Sequence, residues 1–202
     1  MAKETQIKLT KTRYRLGCLG VTKKLGLIGA VADDTIGATD LSLMLTREGL
    51  RTVQVIGVPA GGASLPDVDA VVIALKSWSI PPSHAAAMSL AATRALLTGG
   101  AGQILFKYCA TFDSTDQGNI GPVAEALMAE TGTDLTIACP SFPAAGRSTY
   151  KGHLFVVGQL LSDSPLKDHP LDPMRDADLV KFLGRQTALP VGLVEISTIC
   201  QG

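Results

Sequence analysis

The sequence has few aromatic residues, little charge and no excess of either sign. Aromatic residues make up 4% of the 202 residues and charged residues 18%, with 18 basic side chains against 18 acidic ones. Proteins that bind nucleic acid or acidic membranes through bulk charge carry a basic excess, so both partners are disfavoured. No window approaches the roughly 20 uninterrupted apolar residues that a membrane span needs. We therefore expect no nucleic-acid partner and no membrane partner.

Common site signatures are also missing. The four cysteines, Cys18, Cys109, Cys139 and Cys200, form no C-x-x-C pair, which argues against a zinc knuckle or a dithiol redox site and predicts a reduced, cytoplasmic chain. The sequence contains no G-x-S-x-G, H-E-x-x-H or G-x-x-x-x-G-K-[ST] pattern. Hydrolase, metalloprotease and P-loop functions lose support, and we expect no metal site.

The balanced total charge conceals a basic leader. Residues 1–24 contain seven Lys or Arg and a single acid, whereas the remaining 178 residues are net acidic. We predict that 1–24 is a disordered extension outside the fold. The alternative is a local nucleic-acid or membrane contact. Because hydrophobic residues make up 46% of the sequence, residues 25–202 are predicted to fold as a single domain.

Short apolar runs alternate with stretches of helical character. This alternation predicts an α/β fold, an open and mostly parallel sheet with helices on both faces in a Rossmann-like three-layer arrangement. The predicted strands are 25–32, 52–58, 70–75, 104–108, 135–139 and 191–196. The predicted helices are 38–48, 83–97, 120–130 and 177–186. The long segment 140–173 interrupts the alternation, and its apolar run 153–161 suits one arm of a hairpin.

Two acids follow the first predicted strand, in the sequence Ala32-Asp33-Asp34-Thr35-Ile36-Gly37. Ligands of open α/β sheets bind beyond the carboxyl ends of the strands. Asp33 and Asp34 could accept hydrogen bonds from sugar hydroxyls or act as a general base, beside free backbone N–H groups at a helix start. The alternative is that Asp34 or Thr35 only caps the helix.

A second polar run follows the fourth predicted strand. Lys107 lies within an apolar strand, where an ammonium group is costly to desolvate without a partner, so it is a stronger ligand candidate than a surface lysine. Asp113, Ser114 and Thr115 supply a charge and two hydroxyls. An Asx or Ser/Thr turn would explain them without a ligand.

A third run carries Arg147 and His153. Arg147 lies in a glycine-flanked turn and suits bidentate binding of a carboxylate. His153 could serve in acid–base chemistry, although a lone histidine is more often a structural hydrogen-bonding group.

Taken in order and spacing, these segments resemble the amino-terminal, sugar-acid-binding domain of the four-carbon acid sugar kinase family, in its 3-oxo-tetronate kinase branch. The resemblance covers about residues 25–202 and rests on the segments 32–40, 74–77, 106–121, 139–152 and 169–174. Two departures are Trp78, where the family commonly has Arg, and Ala110, where it usually has Ser.

The resemblance implies ATP-dependent phosphorylation of the terminal hydroxyl of a four-carbon sugar acid. It implies that ATP and Mg²⁺ bind in a separate carboxy-terminal nucleotide-binding domain, supplied in cis or in trans, and that neither is expected on this chain, which alone would be inactive. Homo-oligomerisation is possible. The alternatives are a non-catalytic acid-binding or regulatory protein and a truncated product.

The resemblance also implies residue roles. Asp33 and Asp34 are the candidate catalytic carboxylates. The candidate substrate-binding residues are Thr35, Lys107, Asp113, Ser114, Asn119, Arg147 and His153.

Overall fold

The structure, a computed structural model, describes residues 26–60, 65–112 and 115–201. The predicted basic extension, residues 1–24, lies outside them. In these three ranges, no helix combines the length and apolar character needed to cross a membrane.

The main sheet has four parallel strands, which are β1 (Leu27–Ala32), β2 (Thr52–Ile56), β3 (Ala70–Ala74) and β4 (Ala101–Lys107). Their order is β2-β3-β1-β4. Ala32, at the end of β1, pairs with Ala74 of β3 and with Lys107 of β4. The carboxyl ends of these three strands therefore meet at one edge of the sheet.

Three long helices, α1 (Thr35–Arg47), α2 (Pro82–Thr98) and α3 (Ile120–Thr131), accompany the sheet. Side chains alternate along β1, so Val31 packs with Leu96 of α2, whereas Ala30 and Ala32 pack with Ala38 of α1. Helix α1 thus covers one face and α2 the other, with α3 packed against α2. Each fully buried aliphatic side chain contributes about 1.5–3 kcal/mol. The predicted three-layer α/β fold is confirmed.

A small antiparallel sheet follows, made of β5 (Arg147–Tyr150), β6 (His153–Val156) and β7 (Gln159–Leu160). The predicted hairpin arm is confirmed for 153–156, whereas the rest of the run 153–161 turns back and forms β7. Leu154 and Leu161 are fully buried and form a second core with Phe112 and with Phe182 of the short helix α4 (Leu179–Leu183). This core joins the small sheet to the end of β4 and the start of α3.

Two predicted strands were wrong. Segment 135–139 forms no regular structure, and Leu135 and Ile137 are 80% and 86% exposed. Segment 191–195 is irregular and leads into helix α5 (Ile196–Gln201). Both have the apolar composition of a buried strand, but a strand also needs a neighbour to pair with and layers to cover it, and the described residues supply neither.

Candidate functional site

The first two predicted site segments meet beyond the carboxyl ends of β1 and β4. The backbone N–H of Asp33, directly after β1, donates to the carbonyl of Lys107, the last residue of β4 (3.0 Å). From β1 the chain crosses one face through α1, and β4 is reached across the other face through α2. The space between these strand ends is the switch point at which open α/β sheets bind ligands. We call the region of Asp33, Asp34, Gly37 and Lys107 the β1–β4 crevice.

Asp34 caps helix α1. Its backbone is extended (φ −141°, ψ 161°), and its Oδ1 accepts a 2.7 Å hydrogen bond from the backbone N–H of Gly37. Asp34 is therefore the helix cap. Capping leaves the other oxygen, Oδ2, facing the crevice side of Gly37, so it does not exclude a second role.

Gly37 allows two opposite charges to approach the start of α1. A methyl carbon added at its Cα would lie 2.7 Å from Asp34 Oδ2 and 3.0 Å from Lys107 Nζ. Both atoms thus lie within 3.0 Å of one point, yet no ion pair within 4.0 Å joins them. The carboxylate and the ammonium share the crevice without bridging.

Lys107 is half-buried and satisfies one donor internally. Its Nζ donates to the carbonyl of Tyr108 at 2.5 Å. None of the ion pairs among the described residues involves it. A half-buried ammonium group without a carboxylate partner suits the recognition of an anionic ligand.

Asp33 is only 3% exposed, and its Oδ1 is buried without a hydrogen-bond partner. Burial, reinforced by the neighbouring Asp34 charge, raises the pKa of Asp33 to about 8, although Lys107 and the backbone N–H of Cys109 act in the opposite direction. At neutral pH, Asp33 holds its proton. Asp34, rather than Asp33, is then the carboxylate that can accept a proton from a ligand.

Asn119 lies beneath the crevice and connects two elements. It is 2% exposed, and its amide nitrogen donates to the carbonyls of Ser77 and Trp78, the latter at 2.9 Å. Ser77 in turn donates its backbone N–H to the carbonyl of Asp33 (2.8 Å). Trp78, which stands where the family commonly has Arg, packs edge-on against His169, with ring centroids 6.1 Å apart. Asn119 thus has a structural role, and its contact with substrate stays a prediction.

Arg147 and His153 lie on the small sheet. The Arg147 guanidinium donates to the carbonyl of Ala145, its Nε is buried without a partner, and its backbone pairs with Phe142, which lines a cavity next to the crevice. His153 Nδ1 lies 2.9 Å from the carbonyl of Lys151. The structure thus places the Arg147 backbone beside one lining residue of that cavity, and it shows no contact of Arg147 or His153 with the crevice residues.

The other predicted substrate-binding residues give less information. Thr35 is the first residue of α1, and its carbonyl accepts a hydrogen bond from the hydroxyl of Thr39 (2.9 Å). Asp113 and Ser114 lie outside the described residues. Their binding roles stay predictions.

A cavity of about 310 Å³ lies between α1, the end of β4 and segment 137–142. Its lining residues are Asp40, Leu41, Met44, Leu105, Phe106, Lys107, Tyr108, Ala110, Ile137, Cys139, Pro140, Ser141 and Phe142. Asp40 and Tyr108 were not predicted as site residues from the sequence. Asp40 lies three residues after Gly37, so helical spacing could have identified it. Burial raises the pKa of the Tyr108 hydroxyl above its usual range, which keeps it a neutral hydrogen-bonding group.

A larger cleft, of about 730 Å³, lies near the start of α3 and α4. We call it the Arg185 cleft. Three of its charged side chains satisfy one another, because Arg185 pairs with Asp116 at 3.0 Å and with Asp176 at 2.6 Å. The crevice with its adjoining cavity is therefore the better candidate site.

Comparison with known proteins identifies the family. Residues 28–202 match the family model described as "Sugar-binding N-terminal domain". The chain is 56% identical over 175 residues to the 3-oxo-tetronate kinase of Methylobacterium radiotolerans and 57% identical over 176 residues to that of Burkholderia multivorans. Each alignment covers 87% of this chain and 41% of the relative. The chain thus spans less than half the length of these curated relatives.

Solved structures support the same fold. A crystal structure from Haemophilus influenzae superposes with a TM-score of 0.83 at 46% identity, covering 86% of this chain and 42% of that one. A more distant protein from Bordetella bronchiseptica, a domain-swapped dimer with bound citrate, superposes with a TM-score of 0.62 at 25% identity, covering 78% of this chain and 40% of that one.

Proposed function

We propose that this chain, which belongs to the sugar-binding N-terminal domain family, is the substrate-binding half of an ATP-dependent kinase that phosphorylates the terminal hydroxyl of a four-carbon sugar acid. The supporting observation is the β1–β4 crevice, where the Asp34 carboxylate and the Lys107 ammonium approach Gly37 without bridging. The carboxylate can accept the proton of a substrate hydroxyl, and the ammonium group can bind the anionic end of the substrate. The names of the curated relatives, 3-oxo-tetronate kinases, support the substrate class.

In this proposal the half-buried Lys107 binds the substrate carboxylate through a charge-assisted hydrogen bond. Asp34 accepts the proton of the terminal hydroxyl as that oxygen attacks phosphorus. Asp33, protonated at neutral pH, adds no second negative charge that would repel the acid. A supporting role in substrate binding stays proposed for six further residues, which are Thr35, Asp113, Ser114, Asn119, Arg147 and His153.

ATP, with Mg²⁺, would supply the phosphoryl group. The described residues contain no group of three or more His, Cys, Asp or Glu that could hold a metal ion. We propose that ATP and Mg²⁺ bind in the part of the relatives that the alignments do not cover, and that this chain alone does not turn over substrate. We also propose that the chain is cytoplasmic and that it self-associates. The Bordetella bronchiseptica protein is a domain-swapped dimer.

The test is calorimetric titration of this chain with threonate and, separately, with ATP. We expect threonate to bind and ATP not to bind. Lys107→Met should weaken threonate binding roughly tenfold to a hundredfold, because a hydrogen bond to a charged group contributes about 1.5–3 kcal/mol. Lys167→Met, at an exposed lysine that does not line the cavity, is the matched control. Equal affinities of the wild type and Lys107→Met, or turnover of ATP by this chain alone, would contradict the proposal.

A further inference from the structure

Asp40 is a second carboxylate at the candidate site, and no role has been assigned to it. It lies on α1, is half-buried, and lines the cavity of about 310 Å³ next to the crevice. Within the described ranges it takes part in no ion pair, and no side-chain hydrogen bond to it is found there. A partly desolvated carboxylate that lacks a partner loses hydration without compensation. A ligand hydroxyl would supply the missing donor.

Lys107 provides a positive charge in the cavity that Asp40 lines. It lines the same space as Asp40, and the two charges are more than 4.0 Å apart, since no ion pair joins them. The cavity therefore offers an ammonium group, which binds anions, and a carboxylate, which accepts hydrogen bonds, at separate points. Apolar side chains such as Leu41, Met44 and Phe142 line the same cavity. A molecule with an acidic end and neighbouring hydroxyls matches both points. A molecule with only the acidic end matches one.

We infer that Asp40 is a specificity-determining residue that accepts a hydrogen bond from an inner hydroxyl of the sugar acid while Lys107 holds its carboxylate. The inference rests on the proposed function. It adds that the site selects hydroxylated acids over acids of the same length without inner hydroxyls. Asp40 also disfavours a second carboxylate at that point, because like charges repel.

The competing role for Asp40 is indirect. Its charge could hold the Lys107 side chain in place without touching the ligand. In that case removal of the charge would weaken the binding of every acid by a similar factor. Direct recognition predicts a loss only for ligands that carry inner hydroxyls.

The experiment compares two ligands that differ only in those hydroxyls. Threonate and 4-hydroxybutyrate share the carboxylate, the four-carbon length and the terminal hydroxyl. Binding of each to the wild type and to Asp40→Asn is measured by ligand-observed NMR, which reaches millimolar Kd values. Glu48→Gln, an exposed acid at the other end of the same helix, is the control, and circular dichroism melts verify folding.

We expect Asp40→Asn, which keeps an acceptor oxygen but removes the charge, to weaken threonate binding roughly fivefold or more, because a hydrogen bond to a charged group is stronger than one to a neutral group. Binding of 4-hydroxybutyrate should stay within about twofold. Glu48→Gln should change neither. An equal loss for both ligands, or no loss for threonate, would overturn the role of Asp40 but not the proposed function. If the wild type binds neither acid, both are wrong.

Discussion

The β1–β4 crevice and the Arg185 cleft differ in how their ionisable side chains are partnered. In the cleft, Arg185 pairs with Asp116 and Asp176, and all three side chains keep contact with solvent. In the crevice, Asp33 is buried with an unpartnered oxygen, and Lys107 has no ion-pair partner among the described residues. Paired, solvated charges are nearly neutral for stability, whereas a buried carboxyl oxygen without a partner and a half-buried ammonium group without an ion pair are costly. A fold retains such a cost where a ligand uses these groups, so the smaller space is the better candidate.

The strongest test of this comparison is Asp33→Asn, which mimics the protonated acid. The pKa of Asp33 is raised from 3.8 to about 8, so the folded protein keeps a proton that the unfolded chain releases above pH 3.8. The stability that Asp33 provides is complete below that pH and is lost as pH rises towards 8. Asparagine does not titrate. The free energy of unfolding of the variant should therefore rise relative to the wild type between pH 4 and 8, by on the order of 2–5 kcal/mol.

Urea denaturation of both proteins at several pH values measures this difference. Groups that titrate equally in the two proteins cancel in it. A difference that stays constant from pH 4 to pH 8 would show that Asp33 is not held protonated by the fold. Gln117→Ala, at an exposed side chain that does not titrate, is the control and should show no such trend.

Asn119→Ala should have the next largest effect. Asn119 is buried, and its amide donates to the carbonyls of Ser77 and Trp78. Alanine would leave both acceptors buried without this donor, and we expect a loss of about 2–3 kcal/mol. Gln117→Ala, an exposed residue of the same loop, should change stability by less than about 0.5 kcal/mol. Equal urea midpoints for the two variants would contradict the structural role of Asn119.

How far the sequence predicts this fold is clear from two apolar segments. Ala70–Ala74 was predicted as a strand and forms β3, with all five residues buried. Segment 135–139 has similar composition and forms no strand, with Leu135 and Ile137 exposed. Composition reports whether a segment can be buried in a sheet. It does not report whether a neighbouring strand and covering helices are present.

The candidate site shows the same limit. The position of Asp33 and Asp34 after β1 and that of Lys107 on β4 followed from the alternation of strands and helices, and the structure places these residues together. The burial of Asp33 could not be predicted, because it depends on β4 packing beside it. Helical spacing from Gly37 could have identified Asp40 as a candidate. The cavity that Asp40 lines, however, forms only when α1 packs against β4.

The smallest expected effect belongs to Arg185→Met, which tests the other half of the comparison. Arg185 and its partners are solvent-exposed, so their attraction is weakened by water and screened by salt. We expect a slight fall in melting temperature at low ionic strength that disappears at about 1 M salt. Threonate binding should be unchanged, because the acid binds in the crevice and its cavity. A variant that keeps its melting temperature but no longer binds threonate would place the acid in the Arg185 cleft and reverse the assignment of the site.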